Sequence, residues 1–303
     1  MPFEIKELQV QSTDNIHTLI GKIYIPEGEI KGLFHIIHGM TEHMDRYDNF
    51  MAYIAENGYV CFGYDNLGHG KTARDDSELG FFAHKDGWKY LVRDVFAFEN
   101  AVKAIFPDKK LYLFGHSMGS FIARLAAESF GEIYEKVIFC GTAGKNPLAA
   151  AGLLLTNLLK LKGEKHISNT VQNMAFGSYN KGFEGISNYD WLSTDRQVIE
   201  KYSADKYCTF KFSVSAMHDL IKLIDLCNKK DWFRDIRKDL PILLIAGNND
   251  PVGNYGKGVK EVYNKLISRG ADAEIKLYEG FRHEIHNDYC FEEVMTDILN
   301  FIS

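Results

Sequence analysis

Gly115-His116-Ser117-Met118-Gly119 sets one serine between two glycines, directly after the apolar run Leu111-Tyr112-Leu113-Phe114 and directly before a helical pattern opening near Met118. A Gly-x-Ser-x-Gly match arises by chance about 0.1 times in a chain of this composition, so the flanking elements carry the reading. A strand, a tight turn and a helix would lift the hydroxyl above a sheet, and the helix N-terminus would put backbone N–H groups beside a developing negative charge. The plain alternative is a serine that caps a helix after a glycine turn.

A serine hydroxyl attacks a carbonyl only when a base takes its proton, and a carboxylate must orient that base. Asp250 follows the strand-like Pro241 to Ile245 through a short loop, and His283 follows the last strand through Glu279-Gly280-Phe281-Arg282. Both therefore fall past strand ends, at the edge where Ser117 emerges, in the chain order serine, acid, histidine. His286 is the competing base, and His116 reads as a packed neighbour of the serine. Asp65 reads as a residue that ties down its own loop, and Asp219, Asp225 and Asp231 as a solvated face. His283-Glu284-Ile285-His286 lacks the His-Glu-x-x-His spacing of a zinc protease, so no metal site is expected. The oxyanion donors expected are the backbone N–H groups of Met118, after the nucleophile, and of Met40, in the loop His38-Gly39-Met40-Thr41-Glu42.

The elements that must position these residues alternate along the chain. Strand patterns cover Thr18 to Ile25, Leu33 to Ile37, Tyr59 to Tyr64, Leu111 to Phe114, Val137 to Cys140, Pro241 to Ile245 and Ala273 to Tyr278. Helical patterns cover Asp45 to Asn57, Lys85 to Phe106, Met118 to Phe130, Tyr255 to Arg269 and Tyr289 to Ile302. The fold class is α/β, a mostly parallel central sheet covered by helices on both faces. The first two strands, with no helix between them, predict an antiparallel edge. Residues 144–234 break the rhythm and read as a helical cap inserted into a core formed by 1–143 and 235–303. Its run from Leu148 to Leu161 is expected to wall an acyl chain or to pack the cap on the core.

The 303 residues are 46% hydrophobic and 13% aromatic with a formal charge of −6, which excludes disorder and gives no electrostatic footprint for nucleic acid. Five scattered cysteines without a Cys-x-x-Cys pair suit reduced thiols. Neither a leader nor an apolar run of spanning length is visible, so a cytoplasmic protein is expected.

Taken together, these residues resemble the serine α/β-hydrolase family, in its monoacylglycerol lipase/lysophospholipase-like branch, also grouped with the serine aminopeptidases. The resemblance rests on His38-Gly39-Met40-Thr41-Glu42-His43 with Arg46-Tyr47, Asp65-Asn66-Leu67-Gly68-His69-Gly70, the Ser117 motif, Gly247-Asn248-Asn249-Asp250-Pro251-Val252 and Gly280-Phe281-Arg282-His283-Glu284. In the cap it rests on Ala175 to Lys181 and on Asp190-Trp191-Leu192-Ser193-Thr194-Asp195. Ser120 replaces a glycine common in the family, and Asp205-Lys206-Tyr207-Cys208 lacks its Asp-Pro pair. The resemblance implies an α/β-hydrolase fold with Ser117 as nucleophile, His283 as base and Asp250 as acid.

The expected activity is cleavage of carboxylic esters with an apolar acyl chain, such as monoacylglycerol or lysophospholipid, without any cofactor. Transient contact of the cap with a membrane surface goes with it. Three alternatives stand beside it: a proline aminopeptidase, with Glu184 and Asp190 available for a free amine, an acyltransferase, and a small-molecule binding protein that does no chemistry.

Overall fold

The computed structural model describes residues 2–183, 185 and 187–303. Eight strands form one sheet: β1 (Phe3–Gln11), β2 (Thr18–Pro26), β3 (Gly32–Ile37), β4 (Tyr59–Tyr64), β5 (Leu111–His116), β6 (Tyr134–Cys140), β7 (Ile242–Gly247) and β8 (Ala273–Tyr278). Their spatial order is β1-β2-β4-β3-β5-β6-β7-β8. From β4 to β8 every pairing is parallel, and the runs that are apolar on both faces (β3, β4, β5 and β7) are fully buried.

The antiparallel edge differs from the sequence expectation. β2 pairs antiparallel with β4 and with β1, whereas β3 lies inside the sheet between β4 and β5. A short connection alone does not decide adjacency: β3, buried on both faces, takes an interior position, and the more exposed β1 takes the edge.

Helices α1 (Asp48–Glu56) and α10 (Phe291–Ile302) cover one face of the sheet. The other face is covered by α2 (Gly87–Ile105), α3 (Met118–Phe130), α7 (Val214–Cys227), α8 (Lys230–Asp235) and α9 (Lys257–Ser268). Between β6 and α7 run α4 (Ala149–Leu159), α5 (Asn169–Phe176) and α6 (Arg196–Ala204).

α7 and α8 are fastened to α3, the helix that begins at the serine turn. Buried Arg124 of α3 donates from one guanidinium nitrogen to the Ala143 carbonyl at 3.2 Å and from the other to the Cys227 carbonyl. Its guanidinium lies 4.4 Å from the centre of the Trp232 ring, whose indole N–H donates back to the Arg124 carbonyl at 2.8 Å. Asp219 is not on a solvated face. It is buried at the N-terminus of α2, and burial pushes its carboxyl up to about 7. Asp225 is half-buried and Asp231 exposed.

Candidate active site

Ser117 occupies the turn between β5 and α3 with φ 53° and ψ −120°, a conformation rare for any residue with a side chain. Close packing enforces the turn. A Cβ on Gly115 would collide with the Gly119 carbonyl, and one on Gly119 would collide with the Ile37 and His38 carbonyls, so both positions require glycine. The Ser117 N–H donates to the Cys140 carbonyl at 3.0 Å, which pins the turn to β6. Ser120 fits without strain, its hydroxyl donating to the Ser117 carbonyl at 2.6 Å.

Asp250 and His283 meet past the ends of β7 and β8, with His283 Nδ1 2.9 Å from Asp250 Oδ2 and both residues buried. The other Asp250 oxygen accepts the Val252 N–H at 2.8 Å, which orients the carboxylate. His283 Nε2 has no hydrogen-bond partner among the described residues. Burial works against a charge on this ring, but the Asp250 carboxylate outweighs it and holds the His283 pKa above the ordinary histidine value.

Ser117, His283, Met40 and Met118 all border one cavity of about 810 Å³. Met118 opens α3, where a backbone N–H has no acceptor within its own helix. The Met40 loop is shaped by two neutral histidines. His38 donates from Nδ1 to the Gly39 carbonyl at 2.8 Å and accepts the Asn66 N–H at Nε2 at 2.9 Å. His69 donates to the Leu67 carbonyl and accepts the Thr41 N–H at 3.2 Å. Burial lowers both pKa values, that of His69 to about 3, so the loop keeps its shape across neutral pH. Asp65 ties down its own loop by accepting the Met44 and Lys71 N–H groups.

His286 is buried away from the cavity, stacked on Tyr47 at 4.9 Å, and burial keeps it uncharged. His116 is a bridging neighbour, with one ring nitrogen 3.2 Å from Glu42 and the other 3.3 Å from the His283 carbonyl.

Sequence reasoning named Glu42, Arg46, Tyr47 and Glu284 within motifs but did not join them. In the structure Arg46 donates to Glu42 at 2.9 Å and grips both oxygens of Glu284 at 2.8 and 2.5 Å. Glu42 also accepts the Gly39 N–H and the Tyr47 hydroxyl. One guanidinium thus links the Met40 loop to the loop that carries His283. A salt-bridge partner so distant in sequence leaves no spacing signal; three charged residues within the candidate motifs were the only hint.

The cavity walls correct a second expectation. None of the residues from Leu148 to Leu161 borders it; Phe121, Phe176, Tyr179, Trp191, Leu220 and Ile224 supply its apolar lining. Leu154 and Leu158 of α4, with Leu148 and Leu161 flanking it, turn outward instead, 57 to 86% exposed, while Leu155 and Leu159 pack against the core as the second half of the expectation had it. A run that is apolar all round does not encode which face points inward.

The family described as serine aminopeptidase, S33, matches residues 28–289. The chain belongs to this family. It is a serine α/β-hydrolase of the monoglyceride lipase-like branch and an esterase/lipase-type hydrolase. It is 25% identical to a monoglyceride lipase of Mus musculus over 283 residues, which cover 93% of this chain and 84% of the relative. A monoacylglycerol lipase of Mycolicibacterium smegmatis is 22% identical, with 97% and 98% covered. A thermostable carboxyl esterase from Bacillus coagulans, solved in complex with glycerol, superposes with a TM-score of 0.92 at 31% identity, covering 98% of this chain and 97% of that one.

The Arg46 bridge of this hydrolase has a measurable consequence. Arg46→Met strands two buried carboxylates and is expected to cost about 3–5 kcal/mol in denaturant unfolding at pH 8. Burial works against a charge on Glu42, but His116 and Arg46 outweigh it and hold its carboxyl well below the ordinary glutamate value. The cost should therefore shrink only as the pH falls below about 4, where the carboxylates of the unfolded chain take up protons; a cost under about 1 kcal/mol at pH 8 would contradict the bridge.

Proposed function

We propose that the protein hydrolyses carboxylic esters of lipid-like substrates, monoacylglycerols foremost, through an acyl-enzyme on Ser117. The observation that carries this reading is the His283–Asp250 pair at 2.9 Å, whose other imidazole nitrogen has no partner among the described residues and belongs to a ring that borders the same cavity as Ser117. His283 Nε2 takes the hydroxyl proton as Ser117 attacks the carbonyl, and Asp250 holds the imidazole and balances the charge it gains. The Met40 and Met118 N–H groups receive the oxyanion. The alcohol leaves with the proton from His283, and a water activated by the same nitrogen releases the acid. A cavity of about 810 Å³ suits an acyl chain with a small head group, as do the lipase names of the relatives.

Residues 144–234 form the lid in this reading, with α7 and α8 as its anchor. The aminopeptidase alternative gains nothing from the acids available to it. Asp190 is buried with its carboxylate on the Ser187 N–H at 2.9 Å, and Glu184 lies outside the described residues.

No helix among the described residues is long and apolar enough to cross a membrane. The outward leucines of α4, followed by Lys160, Lys162 and Lys165, favour docking on an anionic lipid surface that presents substrate.

Three measurements test this reading. Ser117→Ala should abolish turnover across p-nitrophenyl esters, monoacylglycerol, lysophospholipid and proline-amide substrates, and the wild type should favour the esters; ester-inactive wild type would leave the binding-protein alternative. The acidic limb of kcat/KM should have its midpoint above about 6.5, because the base must be neutral and Asp250 raises its pKa. Asp250→Asn should move that limb to lower pH and cut kcat by roughly 10³–10⁴, whereas a wild-type midpoint at or below the free histidine value speaks against His283. The double substitution Leu154→Ser/Leu158→Ser should weaken vesicle binding more than roughly tenfold while sparing a soluble short-chain ester, since each buried leucine is worth about 1.5–3 kcal/mol. Unchanged vesicle binding would remove the docking role.

A further inference from the structure

Where the segment after α6 meets the loop after β3, His43, Asp205 and Cys208 converge. One donor atom from each lies within 4.8 Å of the other two, and His43 Nε2 stands 2.9 Å from Asp205 Oδ2. We propose that these three residues form a zinc site that straps the lid to the core beside the catalytic cavity.

The donor set is one that Zn²⁺ favours: an imidazole nitrogen, a carboxylate oxygen and a thiolate sulfur. Bonds of about 2.0–2.3 Å place tetrahedral ligand atoms roughly 3.3–3.8 Å apart, so the His43–Asp205 pair need open by less than about 1 Å. Asp205 and Cys208 share one turn, closed by the Cys208 N–H on the Asp205 carbonyl at 3.0 Å and by the Tyr207 N–H on the carboxylate at 2.8 Å. Two ligands are thus preset, and the third comes from the core. The His43 and Asp205 side chains keep 10 and 31% of their exposure, enough for a water to complete the shell. Asp45 stands 4.0 Å from His43 Nδ1, beyond hydrogen-bond distance, and an approach of about 1 Å would let it receive an N–H from that side of the ring. The nearby Arg46 charge is already matched by Glu42 and Glu284, so an entering cation meets no bare positive charge.

The proton balance is simple. The His43 proton moves from Nε2, where it serves Asp205, to Nδ1; the Cys208 proton goes to solvent; the metal takes the three vacated positions. Cys208 and Thr209 border the cavity, and His43 follows the loop that carries Met40. The bridge would therefore replace one hydrogen bond by coordinate bonds across the lid seam, hold the cavity wall in place and slow turnover. The metal takes no part in the ester chemistry, and its binding does not depend on that reading.

Calorimetric titration of the full chain with ZnCl₂ should show one ion per chain. Cys208→Ser and Asp205→Asn should each weaken binding beyond the roughly 10–100-fold that losing even an outer partner costs. Co²⁺ should give a thiolate charge-transfer band in the near-ultraviolet that Cys208→Ser abolishes, and Zn²⁺ should slow hydrolysis of a soluble ester by the wild type but not by Asp205→Asn. If Cys208→Ser fails to fold, Asp205→Asn, which keeps the shape of the side chain, decides. No binding by the wild type, unchanged affinity in Asp205→Asn, or a cobalt band that survives Cys208→Ser would each overturn the proposal.

Discussion

The Arg46 guanidinium, held between Glu42 and Glu284, is the constraint on which the site depends. The loops it joins leave β3 and β8, which are four strand positions apart. At about 4.8 Å per step the sheet alone would leave them roughly 19 Å apart. Each loop must arch back toward β5 to meet Ser117, and nothing in the sheet register enforces that. Burying three charges is costly, and apolar replacements of a buried ion bridge often pack as stably. An ion bridge with fixed geometry instead sets one loop against the other, because a guanidinium that grips two carboxylates tolerates little displacement.

Electrostatics around the cavity separate one histidine from its neighbours. Burial drives His38, His69 and His286 toward the neutral form, and their partners or packing keep them as structural pieces. His283 is equally buried, yet the Asp250 carboxylate reverses the direction. A ring that can both accept and hold a proton therefore stands among rings that cannot. The strained backbone at Ser117 fits the same pattern, since the close approach of Gly119 to the β3 carbonyls over-determines a conformation that would otherwise relax.

Much of this was legible in the chain. Ser117, Asp250 and His283 each follow an apolar strand by a short loop, so their convergence at one sheet edge could be read from local patterns. The strands from β4 onward and most helix limits could be read likewise. β1 was missed because most of its residues are exposed and Glu7 interrupts the apolar alternation of Phe3, Ile5, Leu8 and Val10. The β2–β3 neighbourhood was misjudged because strand order is a tertiary outcome. The outward leucines of α4, the burial of Asp219 and the Arg46–Glu284 pair share a cause: each depends on which element lies opposite, and no window of sequence contains that.

The most direct test of the account is to map the nucleophile chemically. After brief exposure of the full chain to a fluorophosphonate, peptide mass spectrometry should find one phosphonyl group per chain, on the peptide containing Ser117, with hydrolysis lost in proportion. Hydrolysis that persists with Ser117 fully modified, or a modification that silences the enzyme from another residue, would contradict it.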